Sequence, residues 1–280
     1  MKNNTVVTCA LGVCIAAAAM AAEGPGKVAS EMVRLSGSRG GICAVVGSPD
    51  AEVPVALSKQ GRFLVHCLAR TSSRCDQLRK AVRARGVYGT VSASTFDGRR
   101  LPYADNLINI IVAADYPALR KAGLSVAEIL RALAPLGTAY VADSPAARTD
   151  LLAAGFKDAS LVKTGGVWLG FRKPWPADID EWTHYLHAAD GNPVARDRVV
   201  GPPRHLQWTS GPTWMKSHES DSSVSTLVTA RGRLFYITDE GPISLVGDHD
   251  LPDKWFLTAR DAFNGVLLWK VPMRRWGWRE

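Results

Sequence analysis

The chain has 280 residues and carries 34 lysines and arginines against 26 acidic residues, a formal charge of +8. That length suits about two domains. The arginines are scattered through both halves, which favours solubility and weak attraction to anions. It excludes a specific nucleic-acid surface, where basic residues gather in a stripe with interleaved aromatics.

Lys2 precedes an apolar, alanine-rich run, Val6–Ala19, and then the small-x-small triplet Ala19-Met20-Ala21 ahead of Glu23. This is the pattern of a secretory signal peptide, placed at residues 1–22. It predicts a periplasmic or secreted protein with no stable membrane span after cleavage. Removal of that segment leaves Cys43, Cys67 and Cys75, whose spacing fits neither a disulfide framework nor a metal site. Buried thiols are expected.

Lys27–Leu35 reads as a helix. Ile42–Val46, inside "GGICAVVGSPD" (Gly40–Asp50), reads as a buried parallel strand, because its apolar run is continuous and bounded by glycines. Ala51–Lys59 is a helix with Pro54 in its first turn. Phe63–Leu68 is a second strand, and Ser72 or Ser73 caps a helix to Arg85, stopped by Gly86. Val91–Ala93 is a short strand leading to Phe96-Asp97-Gly98. Leu107–Ala114 is a strand, Val126–Leu133 a helix, Thr138–Val141 a strand and Ala146–Ala154 a helix. Ala159–Lys163 and Val167–Arg172 flank Gly165-Gly166 as a hairpin. Strands alternating with helices imply an α/β fold with a parallel sheet, here closed by an antiparallel edge.

"LPYADNLINIIVAAD" (Leu101–Asp115) followed by "ILRALAPLGTAYVAD" (Ile129–Asp143) resembles the fourth strand, helix, turn and fifth strand of class I S-adenosylmethionine-dependent methyltransferases. The resemblance spans residues 28–173 and implies a Rossmann-like sheet. It also implies S-adenosylmethionine as cofactor, held by a glycine-rich loop after strand one, an acid ending strand two for the ribose hydroxyls, and an acid after strand three beside the adenine. Gly47, Ser48, Asp97 and Asp115 are the residues this carries over as cofactor-binding candidates, Asp115 also as a base. No catalytic residue is assigned. The loop Gly47-Ser48-Pro49-Asp50 departs from the pattern, having one glycine and a proline without an N–H. Strand two departs as well, ending Leu68-Ala69-Arg70 with no carboxylate before Asp76. Export would also remove the domain from the compartment where the methyl donor is made. The residues therefore predict a degenerate cofactor site, the alternative being an active methyltransferase of unknown acceptor.

Composition shifts at Lys173-Pro174-Trp175-Pro176, and most tryptophans lie from Trp182 onward. Residues 174–225 read as linker and strap. Asp180, His184 and His187 could share one helical turn and offer a divalent metal a set of ligands, though packing as a linker on the first domain is the expectation and no metal is assigned. Leu227–Val228, Leu234–Ile237, Trp255–Ala259 and Val266–Lys270 read as short strands. "ARDAFNGVLLW" (Ala259–Trp269) has the spacing A-x-D-x-x-x-G-x-x-x-W. It resembles the tryptophan-docking repeat of pyrroloquinoline-quinone-type β-propellers. Asp261 and Asn264-Gly265 suit a hydrogen-bonded turn and Trp269 suits packing between blades. Residues 226–280 supply only one or two of the four to eight blades that close a propeller, so no pyrroloquinoline quinone site is expected. The function these readings predict is binding or scaffolding with an unidentified protein partner.

Overall fold

The computed structural model describes residues 24–199, 205–211, 223–242 and 253–273. The expected signal peptide lies outside the described residues. Among those described, no helix is long and apolar enough to cross a membrane. The chain divides into two compact units, Met1–Lys173 and Pro174–Glu280.

The first unit runs Pro25–Ser36 (α1), Gly40–Val46 (β1), Glu52–Ser58 (α2), Arg62–Ala69 (β2), Ser72–Ala84 (α3), Val91–Thr95 (β3), Ile108–Ala113 (β4), Tyr116–Ala122 (α4), Val126–Ala132 (α5), Leu133–Ala142 (β5), Pro145–Ala153 (α6), Ser160–Lys163 (β6) and Val167–Arg172 (β7). The strands form one sheet in the order β3-β2-β1-β4-β5-β7-β6. The first five strands are parallel, and β7 runs antiparallel to both β5 and β6. This is the Rossmann-like sheet of the methyltransferase type, with the expected closing hairpin.

Alternation along the strands splits the core in two. Cys43, Val45, Val65, Cys67 and Val112 face Val28, Met32, Leu57 and Leu78 of α1 to α3. Ala44, Val46, Ile111 and Val141 face Tyr116, Leu119, Ile129 and Leu151 of α4 to α6. All three cysteines are free and buried. Burial pushes the Cys67 thiol up to about 12 and Cys43 higher still, so neither is a nucleophile.

Two glycines in this sheet are required by close approach. Gly41 has φ +121°, and a Cβ there would lie 1.9 Å from Asn109 Oδ1. Asn109 uses that space to accept the Ile42 N–H at 2.8 Å, which extends the β1–β4 pairing below its first backbone partners, Cys43 and Ile110. Gly137 sits in a bulge of β5, where a Cβ would lie 2.8 Å from Ala134 O and 2.9 Å from Ile108 O. The register shifts there between Ile108 and Ile110, and Leu136 takes φ +64°. Thr138–Val141 is thus only the inner part of β5, which continues back through Pro135 to Leu133.

The second unit holds Val224–Ala230 (β8), Arg233–Asp239 (β9), Trp255–Asp261 (β10) and Leu267–Pro272 (β11). They form a four-stranded antiparallel sheet in simple up-and-down order. Arg231 and Gly232, with φ +47° and +74°, make the tight two-residue turn between β8 and β9. Asp261 Oδ1 accepts the N–H groups of Phe263 and Asn264 at 2.9 and 3.1 Å, and Asn264 Oδ1 accepts that of Val266 at 3.2 Å. Trp208 lies on the bare face of Gly265, where a Cβ would come within 2.5 Å of the indole. The described residues show this one sheet and no propeller.

Candidate functional site

The C-terminal ends of β1, β2 and β4 open onto a cleft of about 480 Å³. Such crevices, where neighbouring strands lead in opposite directions across the sheet, are where open α/β folds take ligands. Gly47, Ser48, Pro49, Ala69, Arg70, Thr71, Arg74, Asp115 and Leu119 are among its lining residues.

The floor follows from the ends of the strands. Gly47 donates its N–H to Leu68 O at 3.0 Å and turns the chain with φ +71°, a conformation that suits glycine. Ser48 is buried, and its hydroxyl donates to Asp50 O at 2.8 Å, which closes the turn on itself. Asp50 Oδ1 accepts the Glu52 N–H at the start of α2. Pro49 offers only its carbonyl, and Arg74 Nη1 donates to it at 2.9 Å. Thr71 caps α3 by accepting the Arg74 N–H at 3.3 Å. Arg70 extends from the end of β2 toward the turn after β3, so that a Cβ on Gly98 would lie 3.2 Å from its Nε.

Asp115 borders the cleft and caps α4, its Oδ1 accepting the Ala118 N–H at 3.2 Å. Gly47, Ser48 and Asp115 therefore line one cleft. Asp97 is exposed and is not among the lining residues. Its Oδ1 accepts the N–H groups of Arg99 and Arg100 at 2.8 and 3.0 Å. Those two bonds hold its carboxyl below the usual carboxylate range.

Pro49, Thr71, Arg74 and Leu119 belong to the cleft but were not among the sequence candidates. Leu119 rides on α4, a helix missed from the sequence. Its signal was there in Asp115-Tyr116-Pro117, a capping acid followed by a proline in the first turn. The cleft wall offers two guanidinium groups and one carboxylate, and that carboxylate already caps a helix. At the end of β2, position 70 holds a hydrogen-bond donor and no carboxylate.

The histidines of the strap do not form a helical turn. Thr183 and His184 donate their N–H groups to His187 O at 3.0 and 3.2 Å, so the backbone reverses there. His184 Nδ1 pairs with the Thr183 hydroxyl and His187 Nε2 with Asp180 Oδ2. Among the described residues, no group of three or more histidine, cysteine or acidic side chains is arranged to hold a metal ion. Two side-chain hydrogen bonds tie this stretch to the second unit's sheet and its β8–β9 turn, from Trp182 N–H to Thr229 Oγ1 and from Arg231 N–H to Glu181.

No family model and no curated protein matches the chain. Solved structures do. A candidate S-adenosyl-L-methionine-dependent methyltransferase from Methanococcus maripaludis is 17% identical, over 64% of this chain and 100% of its own, with a TM-score of 0.47. A SAM-dependent methyltransferase from Aquifex aeolicus is 16% identical, over 55% of this chain and 95% of its own, with a TM-score of 0.42. A geranyl diphosphate methyltransferase in complex with SAM is 13% identical, over 47% of this chain and 57% of its own, with a TM-score of 0.36. At such scores the fold assignment stays with the strand order and register described above.

Proposed function

We propose that the chain is an exported binding protein. Its first unit keeps a methyltransferase-type fold but not a competent S-adenosylmethionine site, and its second unit belongs to a quinoprotein-like propeller that serves as scaffold for a protein partner. The end of β2 supports the first part most directly. Arg70 follows the end of β2, where the methyltransferase resemblance implies an acid for the ribose hydroxyls, and Arg74 lines the same cleft. The up-and-down sheet and the Asp261–Gly265 turn support the blade reading. The apolar run Val6–Ala19 supports export.

The rival reading is a working methyltransferase of unknown acceptor. The open cleft at Gly47 favours it, because the crevice stands where this fold would seat a nucleoside. Titration calorimetry of the full chain with S-adenosylmethionine separates the two. No saturable heat is expected at millimolar ligand. Micromolar binding would overturn the degenerate-site reading and favour the enzyme.

A further inference from the structure

The cleft at the ends of β1, β2 and β4 is unevenly charged. Arg70 and Arg74 line it on the side of β2 and α3, and Asp115 lines it at the start of α4. No other titratable side chain is among its lining residues. Two guanidinium groups against one carboxylate leave the wall net positive. Between them the lining is apolar, with Leu119 and the alanines Ala69, Ala114 and Ala118. A cleft lined by one sign of charge with low-dielectric walls focuses that charge on a ligand.

The two guanidinium groups are held in different ways. Arg74 sits in the first turn of α3, and its Nη1 donates to Pro49 O at 2.9 Å. That bond fixes one arm of the fork on the loop after β1. Among the described residues no other group accepts from the Arg74 side chain, so four of its five N–H groups are unspent. Arg70 follows β2 and leans on Gly98, where a Cβ would lie 3.2 Å from Nε. Asp97, beside Gly98, does not pair with it, since Asp97 Oδ1 accepts the N–H groups of Arg99 and Arg100. Among the described residues the Arg70 guanidinium makes no hydrogen bond or ion pair.

Thr71 stands between the two arginines and lines the same cleft. Its Oγ1 accepts the Arg74 N–H at 3.3 Å, which leaves its own O–H to donate. The wall thus offers N–H and O–H donors from three residues in one stretch. Guanidinium forks are matched by carboxylate and phosphate oxygens, which accept two parallel N–H bonds from one fork.

We propose that this cleft binds a small organic anion, its carboxylate or phosphate head group taken by Arg70 and Arg74 and its uncharged body laid against Leu119 and the alanines. The inference rests on the reading of the cleft as one without a competent S-adenosylmethionine site, and it names the class of ligand taken instead. Asp115 limits the choice. A ligand with an anionic group at each end would bring one of them to that carboxylate, so a single charged end fits. The volume of about 480 Å³ falls in the range of clefts that enclose small molecules, so a one-ring body has room.

The test is titration calorimetry of the full chain at constant ionic strength. The probes share one ring: phenyl phosphate, benzyl alcohol (uncharged) and benzylammonium (of opposite charge). Phenyl phosphate should saturate with a dissociation constant below about 1 mM, and the other two should bind at least about tenfold more weakly. Arg70→Gln removes a guanidinium with no partner in the fold, so it should leave the melting temperature unchanged and weaken phenyl phosphate about tenfold. Lys80→Gln removes the same charge from an exposed position of α3 outside the cleft and should change binding less than about twofold. The proposal is overturned if phenyl phosphate does not saturate, or if benzyl alcohol or benzylammonium binds as tightly. It is overturned equally if folded Arg70→Gln binds like the wild type, or if Lys80→Gln weakens binding as much as Arg70→Gln. S-adenosylmethionine titrated alongside separates the two claims. Its micromolar binding overturns the degenerate-site reading, whereas silence from both ligands overturns the anion site alone.

Discussion

The two sheets of this protein solve burial in opposite ways. In the first unit every residue of β4 is buried, and helices cover both faces of the parallel strands. In the second, β8 has no fully buried residue, β11 has none either, and Trp269 is 38% exposed. Parallel strands are joined by helices that must cover the sheet, so the connection supplies the core. An up-and-down sheet needs no helical crossovers, and here β8 and β9 join through the Arg231-Gly232 turn and β10 and β11 through the turn after Asp261. Its order rests on the turns themselves and on segments laid across it, such as Trp208 over Gly265.

That contrast predicts where each unit breaks. The largest effect belongs to Gly41→Val. The new side chain meets Asn109 and a backbone at φ +121°, so the first unit should lose about 3 kcal/mol or more, read as a lower urea midpoint. A loss under about 1 kcal/mol would show that the Asn109–Ile42 bridge can be repacked. Next comes Asp261→Ala, which removes a buried acceptor of two backbone N–H groups. It should cost about 1–3 kcal/mol and lower only the melting transition of the second unit. A matching drop in both units would mean that the turn does not act locally.

The smallest effect is a pH dependence at His66 of β2. Its ring lies between Ser94 Oγ at 2.7 Å and Tyr103 OH at 2.9 Å, and burial lowers its pKa below the ordinary value near 6.5. The folded chain therefore refuses a proton that the unfolded chain takes up. The stabilising contribution is full above about pH 6.5 and falls as pH drops toward the folded-state pKa, by about 1.4 kcal/mol for each pH unit that separates the folded and unfolded pKa values. His66→Gln keeps hydrogen-bonding groups and does not titrate. Comparing its urea midpoint with the wild type between about pH 5 and pH 7 isolates the effect, and parallel curves would refute it.

Much of the first fold was legible because short, continuous, β-branched apolar runs such as Leu107–Ala114, bounded by turn residues, favour doubly covered strands. The misreadings have local causes. Pro135 and Leu136-Gly137 read as a helix end and turn, yet Gly137 lets the chain bulge and stay in the sheet. The helix expected over Val126–Leu133 ends one residue early, since Leu133 already pairs with Ile108. In the cleft, Gly47, Ser48 and Asp115 were legible from their place at strand ends. Asp97 stands outside the lining of the cleft, and a turn acid bonded to nearby backbone N–H groups reads the same in sequence as one facing a ligand. Arg74 could not be found from local pattern, since its contact with Pro49 O spans separate β–α connections. In the second unit, β8 begins at Val224, two residues before the expected boundary at 226. The strap was opaque for the same reason as Arg74, because its order comes from bonds to a sheet far along the chain.

Lys173 closes the first unit. Its ammonium donates to Asn106 Oδ1, Leu130 O and Leu133 O at 2.7, 2.7 and 2.8 Å, and its backbone N–H reaches Gly137 O at 2.9 Å. Desolvation lowers its pKa, yet three acceptors meet its three protons. The last residue of the unit is thus also the one that ties a helix end, a loop and the β5 bulge together. The chain cannot form this cluster until residue 173 has emerged, from the ribosome or on the far side of the membrane, and everything needed to form it is then already out. The first unit can finish folding before the second has emerged, and the point after Lys173 separates one folding problem from the next.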